Sequence, residues 1–342
     1  MGLNAGAPPC AAPALPAHRD DWERRLLADP DLLGDIAFAV GGPFHVMFPA
    51  RVGRTIEAFR EVFERTGVDG AIYYGKKANK AGCVARACAE HGAGVDVASV
   101  GELNSALAQG VRGDELMVTG PAKSDELLWL AARHGALIAV DTDDELDQLA
   151  AQVIPVRVLL RALPPESDSR FGMTGDELDR ALARTDLGPV RIAGFSFHLS
   201  GYQPIPRAEL AAALVARCRE ARALGHPATM ISIGGGFAVD YVAEQSWREF
   251  TEGAGPHWFH GGRGSIRTTR TTARPRARPR WPPSSTTRAW RKHCGTTAFA
   301  WRSNRAALSW TARAAPSSAS KARKPAPHRV SRTSCSRSTG PA

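Results

Sequence analysis

The chain has 342 residues, 44 Lys+Arg against 34 Asp+Glu, a formal net charge of +10 and an ordinary apolar fraction of 43%. That length allows one large domain, or two of ordinary size, around a buried core, and no window approaches the ~20 apolar residues of a membrane span. The charge is unevenly placed: Glu252 is the last acid, nineteen bases follow it, and the formal charge is −9 up to that residue and +19 beyond it.

Met1 to Asp20 is rich in Ala and Pro without a basic stretch leading into an apolar one, so it is not read as a secretory leader. Cys10, Cys83, Cys88, Cys218, Cys294 and Cys335 are widely spread, with no close metal-ligand spacing. A reduced, cytoplasmic setting is expected. Residues 1–42 are expected to be an N-terminal extension.

From Phe44 to Gly236, short β-branched apolar runs alternate with longer amphipathic segments. The strands expected in chain order are Ala71–Tyr74, Gly94–Ala98, Leu116–Thr119, Leu137–Val140, Val156–Arg161, Gly194–His198 and Met230–Ile233. Phe44–Phe48 is a further strand candidate, ahead of a helix-like Thr55–Arg65. Helices are expected over Gly101–Gln109, Ser124–Arg133, Asp143–Ala151 and Arg207–Leu224, several opening on a capping residue before helically spaced Leu. Repeated strand–loop–helix units imply a parallel sheet closed by right-handed crossovers. Seven of them, with Gly-rich and polar sequence at the strand C-terminal ends, predict an α/β (β/α)8 barrel over residues 43–262 that lacks its eighth strand. After Phe259 apolar periodicity gives way to Arg, Thr, Ser, Pro and Ala, a composition expected to remain disordered.

Four segments bear on chemistry. Lys77, in Tyr73-Tyr74-Gly75-Lys76-Lys77-Ala78-Asn79, falls at the mouth of the first barrel strand, where a lysine amine can form a Schiff base. Gly92-Ala93-Gly94-Val95-Asp96-Val97-Ala98-Ser99 ends the next strand, and Gly101-Glu102-Leu103 opens the helix behind it. Gly194-Phe195-Ser196-Phe197-His198-Leu199-Ser200-Gly201 puts His198 at another strand end. Ile231-Ser232-Ile233-Gly234-Gly235-Gly236-Phe237 places three glycines directly after a strand, where bare backbone N–H groups can cradle a phosphate. Each alone has a bland reading: a solvated lysine, a structural histidine, a tight turn.

Together, in order and approximate spacing, they resemble the fold-type III pyridoxal-phosphate decarboxylases, the group of diaminopimelate, ornithine and arginine decarboxylases whose barrel is shared with alanine racemase. The resemblance spans Phe44 to Gly262. It implies pyridoxal 5′-phosphate as cofactor, Lys77 as the Schiff-base lysine and His198 stacked on the cofactor ring. It also implies Gly234, Gly235 and Gly236 against the phosphate, and Asp96 and Glu102 as polar support. Leu199-Ser200-Gly201 departs from the Gly-Ser that many members carry after the His, although Ser200 remains a candidate phosphate contact. Ser169-Arg170-Phe171-Gly172 resembles the family's Lys-Phe-Gly stretch with Arg substituted. A small amino-acid substrate and a homodimer are implied, with no nucleic-acid or membrane partner. A racemase and a non-catalytic cofactor-binding barrel are the alternatives.

The family's Glu-Pro-Gly-Arg, expected on the eighth strand, is missing, as are the residues of its C-terminal β domain. The basic tail accounts for both. With GC-rich codons for Ser303-Asn304-Arg305-Ala306-Ala307-Leu308-Ser309-Trp310-Thr311-Ala312, the frame that starts on each third base reads Glu-Pro-Gly-Arg-Ala-Leu-Leu-Asp-Arg. The same shift gives Ser284–Cys294 an acidic, helix-like sequence. Residues 263–342 are therefore expected to be an off-frame product of a shift near Arg263, in a chain with little activity of its own. The scattered Trp281, Trp290, Trp301 and Trp310 do not form the interleaved aromatic pattern of a nucleic-acid arm.

Overall fold

A computed structural model of the chain describes residues 15–165, 167, 169–239, 241–253 and, as a strand, 308–313. Two short helices, α1 (Asp21–Leu27) and α2 (Pro30–Val40), precede α3 (Ala50–Thr66). A regular alternation follows: β1 (Gly70–Gly75), α4 (Gly82–Glu90), β2 (Gly94–Val97), α5 (Val100–Leu107), β3 (Leu116–Val118), α6 (Asp125–Arg133), β4 (Leu137–Val140), α7 (Asp143–Ala150), β5 (Val156–Arg161), α8 (Gly175–Ala183), β6 (Val190–Ser196), α9 (Pro204–Ala223) and β7 (Met230–Ser232). Then come α10 (Glu244–Gly253) and β8 (Leu308–Arg313).

Several helices start where the sequence supplies a side-chain acceptor for an orphan backbone N–H. Ser99 accepts from Glu102, Ser124 from Leu127, Thr142 from Glu145 and Thr174 from Glu177, opening α5, α6, α7 and α8. Ser99, Ser124 and Thr142 follow their strands closely, so the loops after β2, β3 and β4 are short and anchored, whereas a longer segment separates β5 from Thr174. The helices bury one stripe apiece, for example Leu127, Leu128, Ala131 and Ala132 on α6 and Leu178, Ala181 and Leu182 on α8.

Strands β1 to β7 pair in sequence order, each parallel to the next. Their side chains split into two sets, as the period-two pleat requires. Residues such as Tyr74, Val95, Val118, Ile138, Leu160 and Phe195 pack outward with the helices. Tyr73, Met117, Leu137, Ala139, Leu159, Ala193 and Met230 form a separate cluster that fills the barrel interior.

Three expectations need correction. Phe44–Phe48 is no strand: Phe48 stacks on Trp22 at 4.6 Å, and both edges of β1 are already paired. Strand β6 begins at Val190 rather than Gly194. Its ladder with β5 shifts register after Val158, and Gly194 (φ +150°) lies so close to β7 that a Cβ there would fall 1.8 Å from the Met230 carbonyl oxygen. Finally, the edge expected to stand open between β7 and β1 is closed by β8, which runs antiparallel to both neighbours. The rest of the expected disordered tail, and Ser303–Ala307 of the off-frame motif, lie outside the described residues.

Candidate active site

Two residues beyond the interior layer, the inward face of nearly every strand turns polar, and these positions meet at the C-terminal mouth. On β2 the inward residue is Asp96, between outward Val95 and Val97. Next round the barrel, Thr119 follows inward Met117, Asp141 follows Ala139 and Arg161 follows Leu159. The irregularity at Gly194 resets β6, so that Phe195 and Phe197 face out and Ser196 and His198 face in. Ser232 follows Met230 on β7, with Gly234 beyond it.

Lys77 belongs to a single 3-10 turn, Lys76–Ala78, at the end of β1. It is exposed at the mouth, and its charge acts on both Asp96 and His198. Asp96 accepts a hydrogen bond from Thr119 Oγ1 at 2.7 Å. Loss of water around the carboxyl dominates there and raises its pKa to about 7, against the opposing pull of Thr119 and Lys77. The His198 ring reaches solvent at the rim. Desolvation, then the charges of Lys77, Arg161 and Arg207, holds its pKa below the ordinary imidazole value, so the ring is neutral at pH 7.

The floor beside His198 is backbone. Gly234 has φ +67°, and a Cβ there would lie 2.7 Å from the Phe197 carbonyl oxygen and 3.1 Å from His198 Nδ1. Gly235 and Gly236 continue the half-buried loop. Ser200 is exposed on the segment between β6 and α9. Glu102 is buried, accepts from the Ala98 backbone N–H at 3.0 Å and pairs with Lys80 at 3.2 Å; its charge also reaches Asp96.

Several mouth residues carry no motif and were missed by sequence reasoning. Arg161 Nη1 donates to Asp141 Oδ2 at 2.9 Å and Oδ1 at 3.2 Å, with its guanidinium 5.8 Å from the Phe171 ring centre. Below them lies a buried ion pair. Lys123 Nζ donates to Glu145 Oε2 at 2.7 Å, the Asp141 backbone N–H gives that oxygen a second bond at 2.8 Å, and Glu145 Oε1 accepts from the Lys123 backbone N–H at 3.0 Å. Only the position of each, inward at a strand end or in the loop after one, could have flagged it.

A family model described as the pyridoxal-binding domain of pyridoxal-dependent decarboxylases matches residues 50–256. The chain belongs to the pyridoxal-dependent decarboxylase family. As a member of it, the chain is 35% identical over 238 residues to the uncharacterized protein y4yA of Sinorhizobium fredii, covering 68% of this chain and 52% of that one. It is 31% identical to a diaminopimelate decarboxylase of Deinococcus radiodurans, covering 55% of this chain and 53% of the relative. Among solved structures, SrLDC in complex with PLP and cadaverine superposes with a TM-score of 0.53 at 26% identity, over 65% of this chain and 56% of that one. The chain thus spans about half the length of the curated relatives it matches. Among the described residues, no helix is long and apolar enough to cross a membrane.

The residues at the mouth fit the family's cofactor. The glycine loop leaves a backbone cradle beside His198 that a Cβ at Gly234 would obstruct. Ser196 Oγ is buried at the same mouth and has no hydrogen-bond partner among the described residues, as expected of a group that serves a ligand.

Proposed function

We propose that this barrel is the cofactor domain of a pyridoxal-phosphate-dependent amino-acid decarboxylase of diaminopimelate type, with Lys77 as the lysine that holds the cofactor. The supporting observation is the convergence of Lys77, Asp96 and His198 on one barrel mouth, beside the glycine loop and within the family-matched span. When bound, the cofactor's protonated ring accepts the electron pair released as the bond from Cα to the carboxylate breaks. Each protein group has a distinct task. Lys77 supplies the amine. His198 offers a neutral imidazole face at pH 7. The backbone N–H groups of Gly234–Gly236 meet the phosphate, with Ser200 a further candidate at the rim. Asp96, held by Thr119, supplies a carboxyl within reach of the Lys77 charge. A small amino acid is the substrate, and the intact enzyme works as a homodimer.

We further propose that residues 263–342 are read off frame, so that this polypeptide binds cofactor but turns over little. The charge break after Glu252 and the Glu-Pro-Gly-Arg in the neighbouring frame support this. So does β8: successive right-handed crossovers give parallel strands, whereas Leu308–Arg313 runs against both neighbours. The test is the nucleotide sequence around codons 260–266, followed by assay of the chain and of its frame-restored form on diaminopimelate, lysine, ornithine and arginine. One inserted or deleted base whose repair yields decarboxylation is expected. An intact frame, or equal turnover by both proteins, would overturn this reading.

A further inference from the structure

Arg207 is 5% exposed, yet its guanidinium meets no carboxylate among the described residues. Nη1 donates to the Ile233 carbonyl, the last residue before the glycine loop, and the guanidinium carbon lies 5.5 Å from the Phe237 ring centre, just after it. Nη2 is buried and has no hydrogen-bond partner among the described residues. Burying a cation with an unsatisfied donor is unfavourable unless something pairs with it. The direction of Nη2 shows where a partner would sit: a Cβ on Gly236 (φ +88°) would be 3.7 Å from Nη2 and 3.8 Å from the Gly201 carbonyl oxygen. The unpaired nitrogen therefore borders the space between the loop after β6 and the loop after β7. Arg207 is also close enough for its charge to act on His198.

The helix carrying Arg207 is a poor anion site without that side chain. Helix α9 opens Pro204-Ile205-Pro206, so two of its first three residues have no N–H to offer. Ionic compensation must come from a side chain, and a guanidinium suits a phosphate monoester because its N–H groups form charge-assisted bonds in a fixed plane.

We propose that Arg207 is a phosphate-binding residue of this barrel, pairing through Nη2 with the phosphate held over Gly234–Gly236 while Nη1 fixes the start of that loop. This rests on the cofactor reading given above.

The test uses the full chain and three probes: pyridoxal 5′-phosphate, pyridoxal and inorganic phosphate. Binding of the first two is followed by absorbance and of the third by thermal shift. Arg207→Met should weaken pyridoxal 5′-phosphate by about 10- to 100-fold, the range for a hydrogen bond to a charged group. Pyridoxal affinity should stay within about twofold, because its site at Lys77 is untouched. Inorganic phosphate should raise the melting temperature of the wild type but not of Arg207→Met. Equal weakening of both aldehydes, or of neither, would overturn the proposal while leaving the Lys77 reading in place. A phosphate shift that depends on Arg207, with no absorbance change from either aldehyde, would uphold the anion site and overturn the cofactor reading. If Arg207→Met does not fold, Arg207→Lys decides: it keeps the charge and loses the fork, so a selective loss for the phosphorylated aldehyde supports the proposal and parallel losses contradict it.

Discussion

Lys76 and Lys77 are adjacent in sequence and occupy opposite sides of the barrel wall. Lys76 is 1% exposed, lies among the outer helices with Cys88 and Glu102, and donates from Nζ to the Lys80 carbonyl at 3.1 Å. Burial holds its pKa below the ordinary lysine value. Lys77 is exposed at the mouth, where its charge acts on Asp96 and His198. Two identical side chains one residue apart thus have different surroundings: Lys76 is buried, and Lys77 is exposed with its charge acting on Asp96 and His198.

Lys77→Ala is expected to abolish the absorbance change on adding pyridoxal 5′-phosphate, whereas Lys76→Met should retain it. Stability should separate them too. The depressed folded pKa of Lys76 means that the unfolded chain binds more protons between that value and about 10.4, so charging Lys76 destabilises the native state at neutral pH. Lys76→Met should melt at or above the wild-type temperature at pH 7, and a clear drop would contradict this.

Asp96 gives a pH signature. Its folded pKa is raised to about 7, above the unfolded value of about 3.9. The native state therefore binds the extra proton between those limits, and stability falls as pH rises through that window. Asp96→Asn should remove that part of the fall, on the order of a few kcal/mol. Urea denaturation at pH 5 and pH 8 measures it, and identical slopes in the two proteins would contradict it.

The Lys123–Glu145 pair is buried on both sides. Lys123→Met should cost about 3–5 kcal/mol by stranding a buried carboxylate. The double variant with Glu145→Gln should recover part of that loss, since it removes the stranded charge while its single amide oxygen can still accept one of the two backbone bonds, from Lys123 or from Asp141. The Asp96 pKa should also rise in Lys123→Met, because Lys123 lowers it. Denaturation curves and a carboxyl titration by NMR check both parts.

Glycine conformation predicts one further contrast. Gly234→Ala should weaken cofactor binding and cost about 1–3 kcal/mol, since its φ is positive and its Cβ would press on His198 and Phe197. Gly101→Ala, inside α5 with nothing within 4 Å of its added Cβ, should stabilise by up to about 1 kcal/mol. Thermal melts and cofactor titration of both variants test the pair.

Much of this architecture is legible in the sequence because strand–loop–helix repeats with Ser or Thr caps dictate a parallel sheet, and Lys77, Asp96, His198 and the glycine loop carry local patterns. Phe44–Phe48 misleads because an aromatic, β-branched run looks the same whether it pairs with a strand or lies against a helix such as α1. The start of β6 is hidden by Gly194, which looks like punctuation and acts as a register shift. Thr119, Asp141, Arg161 and Arg207 have no motif. Their meaning depends on which neighbours the closed barrel brings beside them, and single-chain spacing does not contain that.

The most direct test of the account is to incubate the full chain with pyridoxal 5′-phosphate, reduce it with borohydride and map the labelled peptide by mass spectrometry. The pyridoxyl phosphate mass is expected on Lys77 and absent from Lys76. A label on Lys76 or elsewhere, or no label at all, would contradict the assignment of this barrel mouth as the cofactor site.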